Sequence, residues 1–292
     1  MRKLIFVIST MVLLMACGPR WMYTNLDWLI PWYVEDYIAL NTQQNDQLAG
    51  PRLAYQLEWH CRTQMSRYAD FLRQLRDDLS IPGQPVAAAR WADHLDQLKQ
   101  YGIDLVHQVG PDAVAILATA TDVQVDTLFE NLEKTNLDLQ REYVDPPPAA
   151  RRRNRQKRMQ KRIAYWTGPL TKTQKGLMAE WAGRLEETAE AWLAHRRRFQ
   201  EALHHRLNQR HQDQDFQRRF IDLLARPDKL RDPPYQEKID INKRLTFHFL
   251  EKLSESLTLK QRRHIVDRFE KLAVEMEQLA CEPAQIEQET DL

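Results

Sequence analysis

Apolar residues recur every three to four positions along nearly the whole chain. Leu26, Leu29, Ile30, Tyr33, Tyr37 and Leu40 share one helical face near the start, and Leu128, Leu132, Met178, Ile265 and Phe269 repeat that spacing later. Alternating apolar and polar runs bounded by hairpin turns, the mark of strands, are not seen. The pattern predicts an all-α protein, an elongated multi-helix bundle of amphipathic helices.

Helix starts are legible. Leu170-Thr171-Lys172-Thr173-Gln174 and Leu257-Thr258-Leu259-Lys260-Gln261 share the form Leu-Thr-x-x-Gln; Ala120 to Gln124 keeps Thr121 and Gln124, and Leu40 to Gln44 has Asn41 in place of Thr. This is a capping box, in which the Thr or Asn side chain accepts from the third amide and the Gln reaches back to the cap amide. Helices are therefore expected to begin at 41, 121, 171 and 258. Leu79 to Gln84 reads as a box spoiled by one extra residue. Pro31 predicts a break or a new first turn.

Asp145-Pro146-Pro147-Pro148 is a stop that a helix does not cross, and Arg226-Pro227 to Pro233-Pro234 is a weaker one. They suggest an N-terminal helical part, 21–145, and a C-terminal part, 149–292, as two parts or one continuous domain.

The extreme N-terminus differs. Arg2 and Lys3 precede an apolar run from Leu4 to Met15, too short for a mature membrane span and laid out as a signal peptide over 1–16. Leu14-Met15-Ala16-Cys17 resembles the lipobox of bacterial lipoprotein precursors, which implies lipid attachment at Cys17 and a linker of residues 17–20. Gly18 rather than Asp follows it. By resemblance to enterobacterial sorting this favours an outer-membrane anchor facing the periplasm. The dense aromatics from Trp21 to Tyr37 are expected to pack as core against later helices; the alternative is that they rest at the lipid interface.

Composition adds little bias. Net charge is +1 over 292 residues, which gives no argument for nucleic acid, and glycine is scarce, with eight in the chain. Cys61 and Cys281 remain once Cys17 is lipidated, and an oxidising compartment would allow them to pair; two separate buried thiols are the other reading. Residues 151–162 read RRRNRQKRMQKR. Arg151, Arg152, Arg153, Arg155, Lys157, Arg158, Lys161 and Arg162 are a candidate contact for anionic groups, against the plainer reading of a solvated helix face. His195, His204, His205 and His211 cluster beside arginines, which disfavours a divalent ion, so no metal site is expected. No nucleophile elbow, zinc motif or phosphate loop is present. An enzyme and a cofactor are not expected.

Two resemblances follow from these residues. The repeated Leu-Thr-x-x-Gln resembles the small periplasmic chaperones related to the spheroplast protein, over a small part of the chain. The lipobox, Leu26-Asp27-Trp28-Leu29 to Asp36-Tyr37, Trp59-His60, Tyr143-Val144-Asp145-Pro146 and Pro234-Tyr235-Gln236 resemble an uncharacterised family of proteobacterial helical lipoproteins. Together they imply an envelope lipoprotein that either binds unfolded or envelope clients, or docks one periplasmic partner or anionic surface through the basic helix.

Overall fold

The architecture, seen in a computed structural model, is described for residues 18–281. Cys17 and the signal segment lie outside the described residues. Every regular element is helical: α1 Gly18–Thr24, α2 Leu26–Glu35, α3 Thr42–Ala49, α4 Pro51–Thr63, α5 Met65–Ser80, α6 Ala88–Ala118 and α7 Asp122–Leu139. A π-helical turn, Gln140–Val144, leads to α8 Pro148–Thr167, α9 Lys172–Arg184, α10 Ala189–Asn208 and α11 Phe216–Ala225. A 3₁₀ turn, Pro227–Leu230, precedes α12 Pro233–Glu255 and α13 Leu259–Gln278.

Local chemistry explains most of the boundaries. Asn41, Thr121, Thr171 and Thr258 each accept from the amide three residues on, and Gln44, Gln124, Gln174 and Gln261 each return the bond to the cap amide. Asp232 caps α12 by accepting from the Tyr235 amide, just ahead of Pro233 at the first helical position. Gly168, at φ 79°, turns the chain out of α8 where a side chain would be strained.

One expectation needs correction, and one open reading is resolved. Pro31 does not break its helix, because α2 runs through it; only one backbone hydrogen bond is forfeited in a short, exposed segment. No helix starts at Leu79 to Gln84 either. α5 ends at Ser80, a loop follows, and α6 begins at Ala88 without a side-chain cap. The loop is secured instead by the buried Val86 amide, which donates to Ser254 Oγ at 2.8 Å.

Three cores hold the helices together. Ile38, Val114, Ala120, Val125, Leu207, Phe216 and Phe220 form one. Ile163, Leu170, Met178, Trp181, Phe249 and Leu253 form the second, and Leu79, Val86, Leu257, Ile265 and Phe269 the third. Elements from both sides of the Pro146–Pro148 stop contribute to the first and third. α11 crosses α6 at Gly110, where an added Cβ would lie 3.0 Å from Ile221 Cγ1, so the close approach needs the missing side chain. α13 returns antiparallel along α5, where Arg73 pairs with Glu277 and Arg76 with Glu270.

Candidate functional site

The four capping boxes are brought together in pairs. Gln44 and Gln124 face each other: Gln124 Nε2 donates to Gln44 Oε1 at 2.8 Å and Gln44 Nε2 returns the bond at 3.3 Å. Each amide nitrogen also donates to a backbone carbonyl beside the other box, Thr119 O from Gln44 and Ala39 O from Gln124. Gln174 and Gln261 repeat the arrangement, with both reciprocal bonds at 2.9 Å and further donations to Ser256 O and Pro169 O. All four carbonyls lie two residues before a cap. Each Gln oxygen accepts at least twice and each nitrogen donates at least twice, so the amides are saturated. Only an amide does this; a carboxylate lacks the donors. Spacing revealed the caps. It carried no sign of the pairing, which needs the sites 80 and 87 residues apart to meet. The motif therefore serves as two internal clasps.

The expectation of a core role fails for Trp28, Trp32 and Tyr33, which are exposed, whereas Trp21, Tyr23 and Tyr37 are half-buried and Tyr23 packs on His60. α2 is strongly apolar in sequence, yet none of its residues is buried. Met22 is 45% exposed, Trp28 48%, Trp32 37% and Tyr33 57%. Trp21 and Trp28 meet edge to face, and Trp28 Nε1 donates to Asn25 Oδ1, so the two rings support each other while Trp28 stays largely exposed. α2 abuts the body mainly through α3, and Asn131 of α7 donates to the Tyr37 carbonyl below it. Behind α1, the Tyr23 hydroxyl lies 3.2 Å from His60 Nδ1, and Tyr68 OH lies on the other ring nitrogen. Burial, helped by Tyr68, pushes the Tyr23 hydroxyl up to about 12, and burial lowers His60 below its ordinary 6.5.

The basic run divides by face. Arg151 pairs with Glu187 and Glu190, Arg155 with Glu187, and Arg158 stacks over the Tyr143 ring at 4.9 Å. These three are half-buried and internally matched. Arg152, Arg153, Lys157, Lys161 and Arg162 are exposed, and none has an ion-pair partner among the described residues. Arg153, Lys157 and Lys161 follow at four-residue spacing into exposed Tyr165, on which Arg268 of α13 stacks at 3.9 Å.

Cys61 and Cys281 are joined by a disulfide, Cα to Cα 5.2 Å, closing α4 onto the end of α13. His204 lies against Phe129 and His195 against Tyr235. No cluster of His, Cys, Asp or Glu among the described residues suits a metal ion, and no described helix is long and apolar enough to cross a membrane. One arrangement escaped the sequence reading: buried His94, whose Nε2 lies 2.7 Å from Asp78 Oδ2, where Arg90 Nε also donates at 2.7 Å. His94 Nδ1 has no hydrogen-bond partner among the described residues, so the contact ends there. The i, i+16 spacing across a loop gave no signal.

A family model described as a family of unknown function, DUF6279, matches residues 36–236. The chain belongs to this family. The DUF6279 match runs from the end of α2 into the start of α12, and so spans the first clasp, the basic helix and one half of the second clasp. No curated protein and no solved structure matches the chain.

Proposed function

We propose that this DUF6279 protein is a non-catalytic lipoprotein of the cell envelope, anchored through Cys17 to the periplasmic face of the outer membrane and lying against that membrane on α1 and α2. The observation that carries the reading is the exposure of α2. An apolar, Trp- and Tyr-rich helix with no buried residue is costly in water, yet Trp and Tyr favour the membrane interface. The lipidated cysteine would immediately precede α1, so the acyl chains and the aromatic face would enter one surface together.

The exposed stripe of α8 supports a second contact, with an anionic surface or one acidic periplasmic partner. Charge reversal at Arg153, Lys157 and Lys161 tests it by crosslinking in intact cells, where a dominant partner should vanish. Reversal of Arg151 would confuse that test, because its charge is already used internally. The anchor is tested by labelling with a palmitate analogue. Label should be lost in Cys17→Ala, and persistence of label would refute the anchor. The chaperone-like reading drew on the repeated helix starts and on abundant amphipathic surface; the clasps account for the first, and a failure of the soluble chain to slow aggregation of unfolded clients would dismiss the second.

A further inference from the structure

Between α5, α6, α8, α12 and α13 lies a hollow of about 200 Å³ whose lining is almost entirely carbon. Trp166, stacked on Phe269 at 4.9 Å, forms one wall; Trp91 and Leu250 form another. The same two residues border a larger apolar groove, about 540 Å³, between α5, α6 and α12. The Trp91 indole N–H is enclosed and has no acceptor, so packing alone holds the ring between the two spaces.

One charged residue borders the smaller hollow, through its side-chain carbons. Arg162 lines it, is exposed, and has no ion pair or hydrogen bond among the described residues. Lys161 beside it has no ion pair among the described residues either, and Arg268, stacked on Tyr165, sits 6.0 Å from the Trp166 ring. A narrow apolar space under unpaired cations matches one ligand chemistry: a single acyl chain ending in an anion. Dry apolar cavities hold apolar guests well, and a small number of polar groups at the rim fixes orientation.

We infer that this hollow binds one free long-chain fatty acid, its carboxylate at Arg162 and its chain over Trp166 and Leu250 toward the groove beyond Trp91. The site uses neither α1–α2 nor the Cys17 lipid, and stands or falls apart from the membrane reading. The test is equilibrium dialysis of the mature chain, carrying Cys17→Ala, against labelled palmitate and against hexadecanol. Palmitate should bind at one per chain. Arg162→Glu should weaken palmitate at least tenfold and leave hexadecanol unchanged; Leu250→Phe should weaken both. Because Arg162 makes no internal bond, its variant folds even if the Leu250 change does not. Absence of saturable palmitate binding would overturn the site, as would equal loss of acid and alcohol in Arg162→Glu, or uptake only from vesicles, which would mean bilayer adsorption.

Discussion

Replacing Gln174 by Glu changes one nitrogen for one oxygen in a side chain with no solvent exposure. The amide nitrogen donates to Ser256 O at 3.0 Å and Gln261 Oε1 at 2.9 Å. Glutamate forfeits both, at about 1 kcal/mol each, and turns an oxygen toward two acceptors, which adds about 1–3 kcal/mol for the acceptors left unmatched. The expected loss is about 3–5 kcal/mol at neutral pH, a large share of a typical domain's stability. The sign of its pH dependence is also set. Burial among acceptors raises the folded pKa of the new carboxyl above its unfolded value of about 4.3. Stability is therefore best preserved below that unfolded value, where the protonated acid donates one bond, and is lost as pH rises through the folded value. Urea unfolding followed by circular dichroism at pH 7 and pH 4.5, against exposed Thr173→Glu as control, reads both effects. A loss under about 0.5 kcal/mol at pH 7, or a loss that grows on acidification, would refute the clasp.

Removing the Cys61–Cys281 bridge by replacing both residues with Ser should cost up to about 5 kcal/mol, because it closes a loop of 220 residues, and the loss is read as a lower urea midpoint. His60 has its folded pKa depressed by burial, so its contribution holds above 6.5 and is lost as pH falls; His60→Gln should flatten the stability profile between pH 7 and pH 5. Arg155→Glu should destabilise, since it sets a carboxylate against Glu187 and the Ala182 carbonyl, whereas Lys157→Glu on the open face should stay within about 0.5 kcal/mol in the same unfolding assay. Charge reversal at Arg153, Lys157 and Lys161 should weaken binding to anionic vesicles and reduce its salt dependence, without changing the melting temperature.

What could be read in advance follows from how local each cause is. The capped starts at Asn41, Thr121, Thr171 and Thr258 depend on residues three apart, so the motif alone placed them. Clasp pairing depends on which starts meet in space, and identical boxes carry no label for their partners. The fate of the aromatics failed for another reason. Trp28 and Trp32 lie off the stripe of Leu26, Leu29, Ile30 and Leu40, which is half-buried; the expectation followed residue type rather than helical face. The basic run was over-read in the other direction: Arg151, Arg155 and Arg158 answer to Glu187, Glu190 and Tyr143, which lie outside its twelve residues. The hollow beside Arg162 draws on five helices and left no pattern in any one of them.

The account depends most on the open face of α1 and α2 meeting a bilayer. The mature chain carrying Cys17→Ala should be mixed with phospholipid vesicles whose acyl chains are brominated near the headgroup, and its tryptophan emission compared with that of the same chain carrying Trp28→Phe and Trp32→Phe. The account predicts quenching and a blue shift that persist at high salt and are largely lost in the double variant, with folding stability unchanged. Equal quenching in both proteins, or none in either, would contradict it.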